Sequence, residues 1–346
     1  MNFPGEKLVI RLWETLAEKG IGSLLSPWQT IREGRARNEV RRQELLMLAQ
    51  AEMDAADLRA GRKRLLSDGS LMPASPVESA ATDVGGRIEP TLFLTNAVSS
   101  GAVAAQANSA RSEINASKAI IFAEEQLAND QQSPPDRSVD DDWLFVWREH
   151  AGKVSAEDLQ RLWGSVLAGE IKSPGKYSIR TLEFLKTLSK SEAETISMLA
   201  TYVIDSRIAR EQKDYLQSNG VTFNLLLGMQ ELGIISGVEA VGLNTTYKSV
   251  VSDKFVRALV SHGKALIVEH EDKEKSFSLE VYLLTEVGRQ ILGLGSFEPD
   301  VQYMRRVGQE ILKQGFRVRI ADWMDVSENE GQYSNAEVID GTETSN

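Results

Sequence analysis

The stretch from Val139 to Ala193 constrains the fold of this chain more than any other part of the sequence. It contains three of the six tryptophans of the chain. Asp140 or Asp141 can cap a first helix, while Ser155 with Asp158 and Ser189 with Glu192 have the spacing of capping boxes. A Pro-Gly pair at residues 174–175 breaks the chain between the second and third helices. The pattern predicts a helical bundle with short loops.

The flanking sequence predicts a long helical arm before this bundle and a small α/β module after it. Apolar residues recur at helical spacing from Glu6 to Lys19, and a second helix is expected over about residues 31–64. Two strand-like runs, Lys264–His270 and Phe277–Leu284, are separated by a charged turn and predict a hairpin, followed by a helix capped by Thr285. We therefore expect a mainly α fold: a helical bundle with a long N-terminal helical arm and a small winged-helix-like α/β C-terminal module.

The expected segments differ in composition. Residues 67–109 are rich in Gly, Ser, Ala and Pro, which is typical of a linker, and the residues from 327 onward are polar and acidic. The predicted domains are an amphipathic, basic helical arm (1–66), a flexible linker (67–109), a helical bundle (110–215), a winged-helix-like module (216–326) and a disordered acidic tail (327–346).

Charge and composition exclude several classes of function. The net charge is −11, but residues 1–66 carry a charge of +3 and the remainder −14. The acidic body argues against general attraction to nucleic acid. The absence of cysteine excludes disulfides and thiolate metal sites and fits a reducing compartment. No apolar run approaches the ~20 residues of a membrane span, and the N-terminus lacks the pattern of a signal peptide. We expect a cytoplasmic protein, with peripheral contact to the inner membrane as the alternative.

The residues around the Pro-Gly break are the strongest candidates for chemistry. Glu170, Arg180 and Glu183 flank it, and two carboxylates with an arginine can form either an acid/base site or a structural ion-pair network. We favour a structural network, with Trp163 as a core anchor, because no nucleophile or phosphate-binding loop accompanies these residues. The three histidines lack metal-ligand spacing. The sequence therefore predicts no catalytic, metal or cofactor-binding residue, and no cofactor.

The N-terminal arm is the predicted contact surface. It combines tryptophans, which can pack on a partner or lie at a lipid interface, with arginines on a helix whose apolar stripe is narrow. The expected partners are another protein, a second copy of the chain or an anionic membrane surface, with nucleic acid less favoured. The residues predicted to form this surface are Trp13, Trp28, Arg32, Arg35, Arg37, Arg41 and Arg42.

Two segments resemble an uncharacterised bacterial family that is designated only as a domain of unknown function, DUF2806. They are LWETLAEKGIGSLLSPWQTIREGRAR at residues 12–37 and the block at residues 140–193. This resemblance implies no known activity. The sequence is also similar, more loosely, to the alpha-type abortive-infection proteins of bacteria, which implies a role in defence against phage. The positions that carry the second similarity are Leu162–Trp163, Val166–Gly169, Leu185–Ala193, Leu232–Ile235 and Leu284–Arg289.

Together these observations favour a non-enzymatic bacterial or prophage interaction protein that acts through protein or membrane-surface contacts. A role in phage defence is implied only by the looser resemblance. Two alternatives stay open at this point. One is a winged-helix regulator that binds nucleic acid, and the other is a hydrolase-type enzyme that uses Glu170, Glu183 and Arg180.

Overall fold

The chain has a mixed α/β fold, seen in a computed structural model that describes residues 4–21, 37–66, 71–73, 94–240, 243–327 and 330–340. It is about 51% helical and 20% strand, with eleven α-helices and two four-stranded antiparallel sheets in these ranges. The prediction of a mainly α fold is therefore wrong. Two compact units divide the chain, residues 1–182 and 183–346.

Unit 1 is helical, with one small hairpin. Strands β1 (Lys63–Leu65) and β2 (Leu71–Pro73) pair antiparallel. The helices are α1 (Glu6–Glu18), α2 (Arg37–Arg59), α3 (Leu94–Leu127), α4 (Asp141–Lys153), α5 (Glu157–Lys172) and α6 (Ile179–Thr187). The last of them, α6, continues across the boundary at residue 182.

Helix α3 is the centre of unit 1, because α2, α4 and α5 all pack against it. Small residues permit this close approach. A Cβ at Gly164 of α5 would lie 2.8 Å from the carbonyl oxygen of Ala119. Asn115 is buried in the same interface, and its Nδ2 donates to the carbonyl oxygen of Gly152 at 2.9 Å. The long helix thus provides both the packing surface and the polar anchor of the bundle.

Two of the three predicted helix starts in the central block are confirmed. Asp140 accepts a hydrogen bond from the amide of Trp143 at 3.0 Å, and Ser189 forms a capping box with Glu192. The third start, predicted at Ser155, is wrong. Helix α5 begins at Glu157, and its N-cap residue, Ala156, has no side chain that can accept a hydrogen bond.

Unit 2 combines small helices with the two larger sheets. The helices of unit 2 are α7 (Lys190–Ala200), α8 (Lys213–Ser218), α9 (Phe223–Glu231), α10 (Glu286–Leu292) and α11 (Val301–Lys313). A short 3₁₀ turn (Arg210–Gln212) precedes α8. Its strands are β3 (Arg207–Ala209), β4 (Ile235–Ser236), β5 (Asn244–Tyr247), β6 (Phe255–Ser261), β7 (Lys264–His270), β8 (Phe277–Leu284), β9 (Arg317–Ser327) and β10 (Glu330–Val338).

The strand pairing differs from the predicted winged-helix-like module. One sheet has the order β10-β9-β7-β6, and in the other β3, β4 and β5 all pair with β8. The strands predicted as one hairpin, β7 and β8, therefore belong to different sheets. The charged turn between them only connects the two sheets. Three aromatic rings pack within this unit, with ring centroids 4.9 to 5.9 Å apart, at Phe255, Phe277 and Phe316.

Two segments that the sequence describes as irregular contain regular structure. Helix α3 begins at Leu94, within the segment predicted as a linker, and Ala107 on it is fully buried. Residues 330–338, predicted to belong to a disordered tail, form β10. Within the described residues, no helix combines the length and the apolar character that crossing a membrane requires.

Candidate functional site

Glu170 holds the loop that follows α5. Its side chain is only 1% exposed. One carboxylate oxygen accepts a hydrogen bond from the amide of Gly175 at 2.5 Å, and the other accepts one from the amide of Tyr177 at 3.0 Å. Both amides belong to the loop that contains the Pro-Gly break. The carboxylate therefore satisfies two main-chain donors of this loop.

Aromatic side chains fix the same loop from the bundle side. The ring of Tyr177 packs so closely on Gly169 that a Cβ there would lie 2.7 Å from it. The indole Nε1 of Trp143 donates to the carbonyl oxygen of Tyr177 at 2.7 Å. Trp147 similarly donates to the carbonyl oxygen of Trp163 at 2.9 Å. Trp163, predicted as a core anchor, is buried, and so are Trp143 and Trp147, whose indoles bind the main chain.

Burial raises the pKa of the Glu170 carboxyl, although the loop amides and the charge of Arg137 act in the opposite direction. A raised pKa alone is compatible with a general acid. Here both oxygens are engaged by main-chain amides, so the geometry supports a structural role in holding the loop.

The pH dependence of stability provides a first test of this role. Because the pKa of Glu170 is higher in the folded state than its unfolded value of ~4.3, its contribution to folding stability is largest below about pH 4.3. The contribution is then lost as the pH rises through the folded-state pKa. We expect the stability difference between wild type and Glu170→Gln, measured by urea unfolding, to become less favourable to wild type from pH 4 to pH 7. A difference that grows over this range would contradict the raised pKa.

The other members of the predicted network lie elsewhere. Trp163 is buried. Arg180 and Glu183 are exposed on α6, and Glu183 forms an ion pair with Lys186 at 2.8 Å. The carboxylate of Glu170 accepts hydrogen bonds from loop amides and not from Arg180. The arrangement needed for an acid/base site built on Glu170 and Arg180 is therefore not formed.

The predicted N-terminal contact surface is described only in part. Trp13 is buried on the inner face of α1, so its side chain packs inside the protein. Trp28, Arg32 and Arg35 lie outside the described residues. The side chains of three further residues, at the start of α2, lie outside the described part as well, namely Arg37, Arg41 and Arg42.

Exposed apolar side chains occur instead where β9 and β10 extend beyond the end of β7 in their shared sheet. The pairing of β7 with β9 ends at Lys264 and Asp322, and β9 continues to Ser327 beside β10. We call residues 323–334 the hairpin tip. Three of its large side chains, Met324, Val326 and Tyr333, are 45 to 63% exposed. By strand alternation Met324 and Val326 share one face of the hairpin, and Tyr333, which pairs with Trp323, lies on the other.

In the described part of the hairpin tip, β9 and β10 stay paired. Trp323 pairs with Tyr333 across the two strands. The Trp323 ring covers Gly331, where a Cβ would lie 2.0 Å from it, and its indole Nε1 donates to Asp325 at 2.7 Å. The tip sequence contains three acidic residues and no Lys or Arg. The sequence of the tip is therefore both apolar and acidic.

Comparison with known proteins identifies a family and no function. The family model described as "Protein of unknown function (DUF2806)" matches residues 104–308, more than half of the chain. No curated protein and no solved structure matches the chain. The looser similarity to abortive-infection proteins thus gains no support from these comparisons.

Proposed function

The chain belongs to the DUF2806 family of proteins of unknown function, and from this premise we propose that it is a non-catalytic protein that acts through protein–protein contacts. The observation that carries the proposal is the hairpin tip. Its apolar side chains are exposed on two strands that continue beyond the end of β7. Clustered exposed apolar side chains are typical of interaction sites.

The charge distribution favours a second copy of this chain as the partner. The tip is acidic and apolar, whereas residues 22–46, which we call the basic segment, carry five arginines and three glutamates. The basic segment also contains Leu24, Leu25 and Trp28. A tip on one copy and a basic segment on another are complementary in charge and in apolar character. Because the two segments differ, the contact is head-to-tail.

Sedimentation velocity of the full-length chain tests the self-association. We expect the average sedimentation coefficient of wild type to rise between about 1 and 100 μM, the range in which a modest contact of this kind is populated. The double substitution Met324→Ser with Val326→Ser removes two exposed apolar side chains and is expected to weaken association by about tenfold or more.

Two further variants sharpen this test. The matched control Met47→Ser with Met53→Ser changes two exposed methionines on α2 and is expected to associate like wild type. Arg32→Glu with Arg35→Glu reverses charge in the basic segment and is expected to weaken association as the tip variant does. A monomeric wild type over the whole range, or a tip variant that associates like wild type, would contradict the proposal.

The same variants also test the other partners predicted from the sequence. Flotation with anionic vesicles that is lost only in the Arg32→Glu, Arg35→Glu variant would assign the basic segment to a membrane surface instead. A role in phage defence depends on the looser resemblance alone. If cells that carry the tip variant lose protection against phage, this role would depend on the contact proposed here.

A further inference from the structure

A strained turn at Asp205 and Ser206 directly precedes β3, the first strand of unit 2. The two residues lie between Ile204 and Arg207, whose main chains exchange hydrogen bonds of 2.8 and 2.9 Å. Asp205 has φ of +48° and Ser206 has φ of +60°. Two-residue turns of this kind favour Asn-Gly, because side chains are costly in the left-handed region. Such strain persists only where the surroundings enforce it.

The turn places one carboxylate next to two guanidinium groups. Asp205 accepts a hydrogen bond from Arg207 on β3 at 2.8 Å, and Arg257 on β6 lies 3.9 Å from the same oxygen. The amide of Asp205 donates to the carbonyl oxygen of Val260 at 2.8 Å, which ties the turn to β6. Two positive charges therefore face one negative charge, and an excess of one positive charge remains.

The donors of the two arginines are unequally satisfied. Arg207 Nε donates to the hydroxyl of Thr245 at 3.2 Å. Arg257 Nε is buried and has no hydrogen-bond partner. A guanidinium offers five N–H donors in a fixed fork, and the 3.9 Å ion pair with Asp205 is too long to be a hydrogen bond. Arg257 thus has donors that the protein leaves open.

The ring of Tyr247 lies next to the two guanidinium groups. They lie 5.5 and 5.9 Å from the centre of its ring, which stacks on Phe277 at 4.8 Å. Burial raises the pKa of Tyr247 to about 12, so its hydroxyl stays neutral at physiological pH. The side chains of Arg207 and Arg257 are 28 and 32% exposed, so solvent reaches both from the open side.

We propose that Arg207 and Arg257, aligned by Asp205 and Tyr247, form a binding site for a small oxyanion, either a carboxylate or a phosphate group. Both ligands present oxygens that match the guanidinium fork. The bound anion neutralises the remaining positive charge and accepts hydrogen bonds from the open donors of Arg257. The proposal does not depend on the hairpin tip or on self-association.

Titration of the full-length chain with sodium phosphate and, separately, with sodium acetate tests the site. Sodium chloride holds the ionic strength constant. The arginine Nε–H signals are followed by NMR, with Arg257 assigned from the spectrum of Arg257→Met. We expect a saturable shift of the Arg257 signal with at least one of the two anions, and the comparison of the two titrations distinguishes phosphate from carboxylate. No saturable shift with either anion would overturn the proposal.

Variants separate this site from general charge effects. Arg257→Met is expected to weaken anion binding by about tenfold, because a charged hydrogen-bond donor is lost. Calorimetry measures this binding. Arg257→Lys keeps the charge and the fold but loses the fork, and is also expected to weaken binding. Arg289→Met, at an exposed arginine paired with Glu286, should bind as wild type does. Equal binding by wild type and Arg257→Lys would overturn the assignment.

Discussion

Gly288→Ala is expected to destabilise unit 2 by about 3 kcal/mol, which is at the upper end of the usual cost of overpacking. A Cβ at this position of α10 would lie 2.1 Å from the carbonyl oxygen of Ile234. That oxygen also accepts a hydrogen bond from the amide of Thr285 at 3.0 Å. Since the obstacle is main chain that already binds the start of α10, it cannot move without breaking this contact. Urea unfolding of the full-length chain measures the loss.

Gly228→Ala provides the matched control. Gly228 lies inside α9, and no atom lies within 4 Å of a Cβ added there. The same substitution should therefore stabilise the protein by about 0.5 to 1 kcal/mol, because alanine is the better helix former. Equal effects of the two substitutions would contradict the packing of α10 on the segment at Ile234.

Glu170→Ala is expected to destabilise unit 1 by about 3 kcal/mol. The substitution leaves the amides of Gly175 and Tyr177 without their acceptor, and each unsatisfied buried group costs about 1 to 3 kcal/mol. It also opens space beneath the loop. Chemical unfolding followed by tryptophan fluorescence suits the measurement, since Trp143 donates to the loop at Tyr177.

The control for this prediction is Glu183→Ala. Glu183 is exposed on α6 and pairs with Lys186, so the change in stability should stay within about 0.5 kcal/mol. A Glu170→Ala protein as stable as wild type would contradict the structural role of the carboxylate. It would also favour the hydrolase-type alternative, in which loss of Glu170 abolishes activity and leaves stability intact.

The helical part of the fold could be predicted where local signals are strong. The Ser189 and Thr285 caps set their helices, because a cap is made by residues that are close in sequence. The start of α3 was missed because Ala, Ser and Gly at residues 97–110 resemble a linker. Packing of small residues such as Ala107 stabilises this helix, and that packing depends on distant parts of the chain.

Strand pairing could not be predicted in the same way. β7 and β8 were expected from their apolar and β-branched residues. However, β7 pairs with the neighbouring β6 and the distant β9, and the partners of β8 are β3, β4 and β5, which lie far before it in the sequence. β3 and β4 have three and two residues, which is too short for an alternating pattern. β10 is polar because much of it is exposed, and the same polarity suggests disorder.

The candidate sites show the same division. Glu170 was singled out because it lies beside the Pro-Gly break, and the structure adds that its partners are main-chain amides. The pairing of Arg207 with Arg257 was missed, since the two residues lie on different sheets with no motif that connects them. In the sequence, the Asp205-Ser206 pair carries none of the Gly or Asn that usually indicates such a turn.

Cross-linking from the hairpin tip tests the proposed contact most directly. A photoreactive phenylalanine analogue replaces Tyr333 in a ¹⁵N-labelled chain, which is mixed with unlabelled wild type before irradiation. The proposal predicts cross-linked peptides that join labelled position 333 to unlabelled residues 22–46. Cross-links confined to a single chain, or intermolecular cross-links that avoid the basic segment, would contradict it.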